Sequence, residues 1–194
     1  MNRDTLLGTT AGAEIIFGFG IVWLLLGIFR GRPSPNWLRI ALVVAGVALA
    51  ASIATLASRA SQIPNSLPIT AQRLAANGEI ARHFYLIFGI ELVAIVVAVI
   101  VLNLMHYADY ILCGIALIVG VHFLPLAALF KAPLYYGTGI CGCAIGLAGF
   151  FIADEGSRQK IVGIAFGILL WATAAWITWQ GLSAPQAVHK ILVM

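Results

Sequence analysis

Charge is what this sequence has least of. Only 9% of its 194 residues are Asp, Glu, Lys or Arg, where a soluble domain carries about a quarter. A chain so poor in charge cannot clothe a folded surface for water. The net charge of +4 comes from a few basic residues near the ends of apolar runs. That excludes the dense basic stripe a nucleic-acid partner needs, and suits anionic lipid headgroups. Cysteine is also scarce: Cys113, Cys141 and Cys143 all lie in apolar runs, where cysteine behaves as a small hydrophobe. Cys141-Gly-Cys143 is not a CxxC pair, and residues two apart on a helix face different ways, so neither a disulfide framework nor a zinc site is expected. Missing too are HExxH, G-x-S-x-G, a Walker loop and any His-rich pattern, which removes the common signatures of metalloproteases, serine hydrolases and nucleotide-driven pumps. No cofactor and no metal is expected.

Apolar sequence is present in abundance: 62% hydrophobic residues and a mean hydropathy of +1.03. A membrane-spanning helix needs about 20 mostly apolar residues. Six segments qualify, at about 13–29, 37–58, 84–104, 109–130, 133–153 and 161–181. The expected fold is therefore all-α, a polytopic integral membrane bundle of six transmembrane helices forming a single domain over residues 1–194. The first span does not read as a cleavable signal peptide. It contains Glu14, lacks an A-x-A site and ends in Arg30 and Arg32,. "RGRPSPNW" stops it clearly, and "MHYA" and "KA" leave room only for tight antiparallel hairpins,.

The connection 59–83 is the one long link. "SQIPNSLP" reads as loop, and "ITAQRLAANGEIARH" as a short interfacial helix capped by Thr70 and open to interruption at Asn77-Gly78,. Arg30, Arg32 and Arg39, with Arg158 and Lys160 on the same side, place those loops in the cytoplasm and both termini outside. The expected location is a bacterial inner (plasma) membrane. Short echoes of "IFG" do not amount to a repeat.

Lipid supplies no hydrophobic drive between helices, so small residues that let backbones approach are the expected packing device. Gly139, Gly142, Gly146 and Gly149 make a stripe down one face of the fifth span, and Gly46, Ala50, Ala54 and Ala57 a similar line on the second. Spans two and five are thus the expected close-packed centre. Trp176 and Trp179 suit an interfacial belt, whereas Trp23 lies nearer mid-membrane,.

Ionisable residues inside spans are costly and mark candidate sites. Two lie well inside: Glu91 and His122. Glu91 is fourteen residues before Met105, and His122 thirteen after Asp109. Both are therefore about 20 Å from the same turn, at one depth in an antiparallel hairpin. They lie about 11 Å from the opposite side, to which Glu14, Arg82, Lys131, Tyr135 and Tyr136 also belong. Pro125, one turn from His122, frees a carbonyl near Val121,, as is tolerated beside protein or a wet cavity. These residues suggest a vestibule ending at Glu91 and His122, serving as a ligand or proton site whose histidine responds to pH near neutrality. A purely structural pair, each partner satisfying the other, is the competing reading.

Three functions fit these features. The first is binding or transport of a small solute or lipid, with membrane lipids, a small-molecule ligand and a second copy of the chain as partners. The second is an intramembrane enzyme using His122 and Glu91 as an acid/base pair. The third is a non-catalytic assembly or sensor subunit docking a partner through its glycine faces.

Overall fold

The computed structural model of the chain describes residues 3–30, 35–62 and 71–183. The described residues form six α-helices: α1 (Arg3–Arg30), α2 (Asn36–Gln62), α3 (Ala71–Leu104), α4 (Ile111–Phe130), α5 (Leu134–Phe150) and α6 (Glu155–Ser183). A short 3₁₀ turn, Ala108–Tyr110, precedes α4. No strand occurs among the described residues. Five helices are long and apolar enough to cross a membrane, and α5 is a shorter apolar helix of 17 residues, about 26 Å long. The chain is thus an all-helical, multi-pass membrane protein.

Two expectations need correction. The interfacial helix is not a separate element: α3 runs unbroken for 34 residues, about 51 Å, through Asn77-Gly78. A lone glycine costs a helix only about 1 kcal/mol, and the long apolar run behind it sustains propagation. Of the expected loop 61–68, Ser61 and Gln62 belong to α2, and residues 63–68 and the cap at Thr70 lie outside the described residues. The second correction concerns α2. Its buried line is Gly46, Ile53 and Leu56, while Ala50 and Ala54 are exposed, so its small residues do not form a packing face.

The chain divides into two compact units. In the first (Met1–Phe19, Pro35–Pro68 and Leu170–Met194), α2 rests on α6. A Cβ at Gly46 would strike the Trp171 ring at 2.7 Å, and one at Gly181 would strike Leu56 at 2.8 Å. The Trp171 indole N–H donates to the Phe17 carbonyl at 3.3 Å, which settles the polar end of an otherwise apolar ring. Trp176 and Trp179 are exposed, as an interfacial belt requires.

In the second unit (Gly20–Ser34 and Ile69–Leu169), glycines set the order in which helices meet. The buried residues of α5 are Thr138 and its four stripe glycines, Gly139, Gly142, Gly146 and Gly149. Without side chains on this face, α5 lies directly on the α4 backbone. A Cβ at Gly139 would sit 2.7 Å from the Gly120 carbonyl, and one at Gly146 would sit 2.9 Å from the Leu117 nitrogen. Gly142 and Gly149 also meet Phe166 and Val162 of α6. The next contact was not anticipated from the sequence: Gly163 and Gly167 of α6 admit the α1 backbone at Gly27 and the side chain of Leu24. Trp23 is buried there, stacked on Phe166 with ring centroids 4.3 Å apart. The close-packed centre of this unit is therefore α4 against α5, with α6 behind.

Helices α3 and α4 end alike. His106 and Lys131 adopt left-handed backbones (φ 61° and 52°). At the first, the Tyr107 N–H reaches the Leu102 carbonyl and the His106 N–H reaches Asn103. At the second, Ala132 bonds to Ala127 and Lys131 to Ala128. Both are Schellman closures, which satisfy carbonyls the helix end would otherwise leave bare. They make the hairpin turns tight without a glycine.

Candidate functional site

Helix α4 presents different faces to its two neighbours. Gly120 and Phe123 turn to α5, and His122 turns to α3. There the His122 Nδ1 lies 3.2 Å from Glu91 Oε2, with the two side chains only 9% and 10% exposed. The equal depth read from the sequence is thus accompanied by rotations that turn both side chains into the α3–α4 seam. The contact is close but not aligned. His122 Nδ1 is buried and makes no hydrogen bond, so the pair stands at ion-pair distance with the ring nitrogen off the line to the carboxylate. A buried polar atom left in this state costs about 1–3 kcal/mol, and Arg158 Nη1 is the other such side-chain atom among the described residues. Pro125 lies within α4, which continues through it to Phe130.

The remaining candidates divide. Tyr135 packs edge-on against Phe123 (centroids 5.6 Å) and Phe130 (6.4 Å), one ring removed from His122, whose own neighbour is Phe123. Tyr136 and Arg82 are exposed. Lys131 is exposed and occupies the left-handed closure of α4, so its backbone has a role independent of its charge. Glu14 is an exposed residue of the first unit. Among the described residues no group of three or more His, Cys, Asp or Glu could hold a metal ion.

A second polar cluster escaped the sequence reading. Arg158, taken there as a cation in a loop at the membrane surface, is 3% exposed. Its Nε and Nη2 donate to the Ile152 carbonyl at 2.9 and 2.7 Å, and its guanidinium lies 3.9 Å from the centre of the Tyr110 ring. Asp109 Oδ2 is 3.7 Å from Nη1. Tyr110 in turn stacks on Phe150 at 5.4 Å. One arginine thereby ties the α3–α4 turn to the α5–α6 turn. It answers the bare carbonyls where α5 ends, and the planar fork of guanidinium suits that task better than an ammonium. Asp154 starts α6 by accepting the Ser157 N–H at 2.7 Å, the N-cap geometry, which places Arg158 in the first turn over those carbonyls. Nothing in one dimension paired residue 158 with 109 and 110.

Set against known proteins, the chain matches no family model, no curated protein and no solved structure.

Proposed function

We propose that this is a six-span protein of the bacterial inner membrane that binds or moves a small solute, with Glu91 and His122 as its working pair. One observation carries the reading. Two side chains able to exchange a proton meet at 3.2 Å, nine-tenths buried, in helices that are otherwise apolar at that depth. A pair serving only to hold α3 on α4 would be expected to align its hydrogen bond, since alignment is where that energy lies. This one brings Nδ1 to the carboxylate without an aligned hydrogen bond. A site that must take up and release a proton or solute gains from such an unsatisfied state, because a fully satisfied pair has nothing to offer a ligand. The approach runs from the end of the hairpin carrying Arg82 and Lys131, where Glu91 is about 11 Å deep. Helices this few enclose little volume, so a complete path across the bilayer would be formed with a second copy of the chain.

The test is proton movement in proteoliposomes loaded with a pH-sensitive dye. An imposed pH gradient should collapse faster with the wild-type chain than with Glu91→Gln or His122→Gln reconstituted at equal density. Equal rates in all three, or rates no faster than protein-free vesicles, would remove the pair from this role.

A further inference from the structure

Helix α4 is joined to its two neighbours by different means. Toward α5 the backbones touch: a Cβ at Gly120 would sit 2.6 Å from the Cys143 nitrogen, and one at Gly146 would sit 2.9 Å from the Leu117 nitrogen. Toward α3 it is side chains that meet. A Cβ at Gly114 would find Leu102 Cδ1 at 3.4 Å, an ordinary contact. Glu91 faces His122 at 3.2 Å, and Phe84 meets Phe130 with ring centroids 6.1 Å apart. Gly89, within the apolar run of α3, has nothing within 4 Å of its Cβ position, so it admits no backbone from that side. None of the α3 span is buried, against 39% of the α4 span. The start of α4, by contrast, is fastened. Arg158 holds Tyr110 and Asp109 to the Ile152 carbonyl of the α5–α6 turn, while α3 enters its turn through the left-handed His106. A body of α4, α5 and the first turn of α6 is thus locked by glycines and one arginine, and α3 leans on it through side chains.

Of the three α3–α4 contacts, the middle one is the one a proton can change. With a single proton between them, Glu91 and His122 attract, either as two ions or as a neutral donor and acceptor. A second proton leaves an imidazolium facing a neutral acid in a seam nine-tenths closed. A buried charge without its partner is the costliest state such a seam can hold, and it is relieved by bringing the ring to water. The helix that can yield is the one without backbone contacts. Its end farthest from the turn is also the end nearest the aqueous side, so parting there wets the pair. We infer that α3 is a proton-controlled arm, lying on α4 while the pair holds one proton and swinging outward about the 105–110 turn when acid adds a second. This rests on the reading of Glu91–His122 as the functional pair, and adds which helix moves and what moves it.

Few other titratable groups bear on the pair. On α4 the other one is Cys113, whose sulfur faces Gly149 of α5. Tyr135 of α5 stands behind Phe123. On α3, His83 and Arg82 are exposed and lie about 12 and 14 Å before Glu91 along the helix. Lys131, also exposed, is about 14 Å beyond His122. Exposed charges at such separations are largely screened at physiological ionic strength. Acid therefore acts on this seam through Glu91 and His122 themselves.

Distances between two spin labels on the full chain in lipid nanodiscs test the arm. One label sits on the exposed Cys141 of α5, with Cys143→Ala removing the half-buried thiol and the fully buried Cys113 left native. The second sits on α3 in Tyr85→Cys, an exposed position about 30 Å from the turn. As a reference it sits on α4 in Val121→Cys, also exposed. A swing of about 10° at the turn carries residue 85 by about 5 Å. The distance from 85 to 141 should lengthen by about that much between about pH 8 and about pH 5, the range in which histidine changes charge, while that from 121 to 141 stays constant. Glu91→Gln and His122→Gln should each remove the response, and either one suffices if the other does not fold. No change with pH, an equal change in the reference pair, or a response that survives both substitutions would overturn the inference. Proton flux without any movement of α3 would overturn it while leaving the functional pair standing. Movement without flux would keep the arm and remove the transport reading.

Discussion

Gly146→Ala tests whether α4 and α5 are held by backbone approach. A Cβ built at Gly146 would meet the Leu117 nitrogen and Leu117 Cγ at 2.9 Å and the Cys113 carbonyl oxygen at 3.0 Å. Ordinary contact begins near 3.4 Å, so the methyl intrudes by about half an ångström, and two of the three atoms belong to the backbone of a helix that cannot swing aside. The seam must part locally by a similar amount. A gap of about 0.5–1 Å forfeits a quarter to a half of each dispersion contact, and in lipid those contacts are most of what joins helices. Together these imply a loss of about 1–3 kcal/mol, the usual range for overpacking. Gly142→Ala should also destabilise, because its Cβ would meet the buried Phe166 ring, stacked on Trp23, at 2.9 Å and the Gly120 Cα at 3.2 Å. Gly137→Ala, with nothing within 4 Å, should change stability by no more than about 0.5 kcal/mol. Equilibrium unfolding of the three variants in mixed micelles of mild detergent and SDS gives the order directly. A Gly146→Ala protein as stable as Gly137→Ala would refute close approach as the source of cohesion here.

Other residues give sharper local tests by the same unfolding assay. Arg158→Lys should destabilise by about 1.5–3 kcal/mol, the worth of hydrogen bonds from a charged donor, because an ammonium cannot both bond to Ile152 and lie flat on Tyr110; a silent substitution would remove the turn-to-turn tie. Lys131→Gly should stabilise by about 1 kcal/mol, since glycine enters the left-handed region without the Cβ penalty, whereas Lys131→Ala should not. For the polar pair, Glu91→Gln and His122→Gln should be coupled by about 0.5–3 kcal/mol in a double-mutant cycle. Additive effects would mean that the 3.2 Å contact contributes nothing to the seam.

Hydrophobicity alone determined the fold class. Long apolar runs with so few charges can satisfy their backbone in lipid only as helices or as a closed barrel, and uninterrupted runs of this length read as helices. The six helices accordingly lie within a few residues of the expected segments, apart from extensions at their ends. The depth of Glu91 and His122 was equally legible, because a helix has a fixed rise and the α3–α4 turn is short. The glycine stripe of α5 was legible as a face, since its spacing follows the helical period. What that face packs against was not. Period names a face but not its neighbour, and the second and fifth spans were paired on composition when the structure lays α5 on α4 and α6. Rotation about the helix axis was invisible for the same reason: only tertiary packing turns both Glu91 and His122 into one seam. The Arg158 cluster depends on which turns meet across helices far apart in sequence. That is decided by close approach at glycines such as Gly120 and Gly163, where a missing side chain, and not any present one, sets the partner.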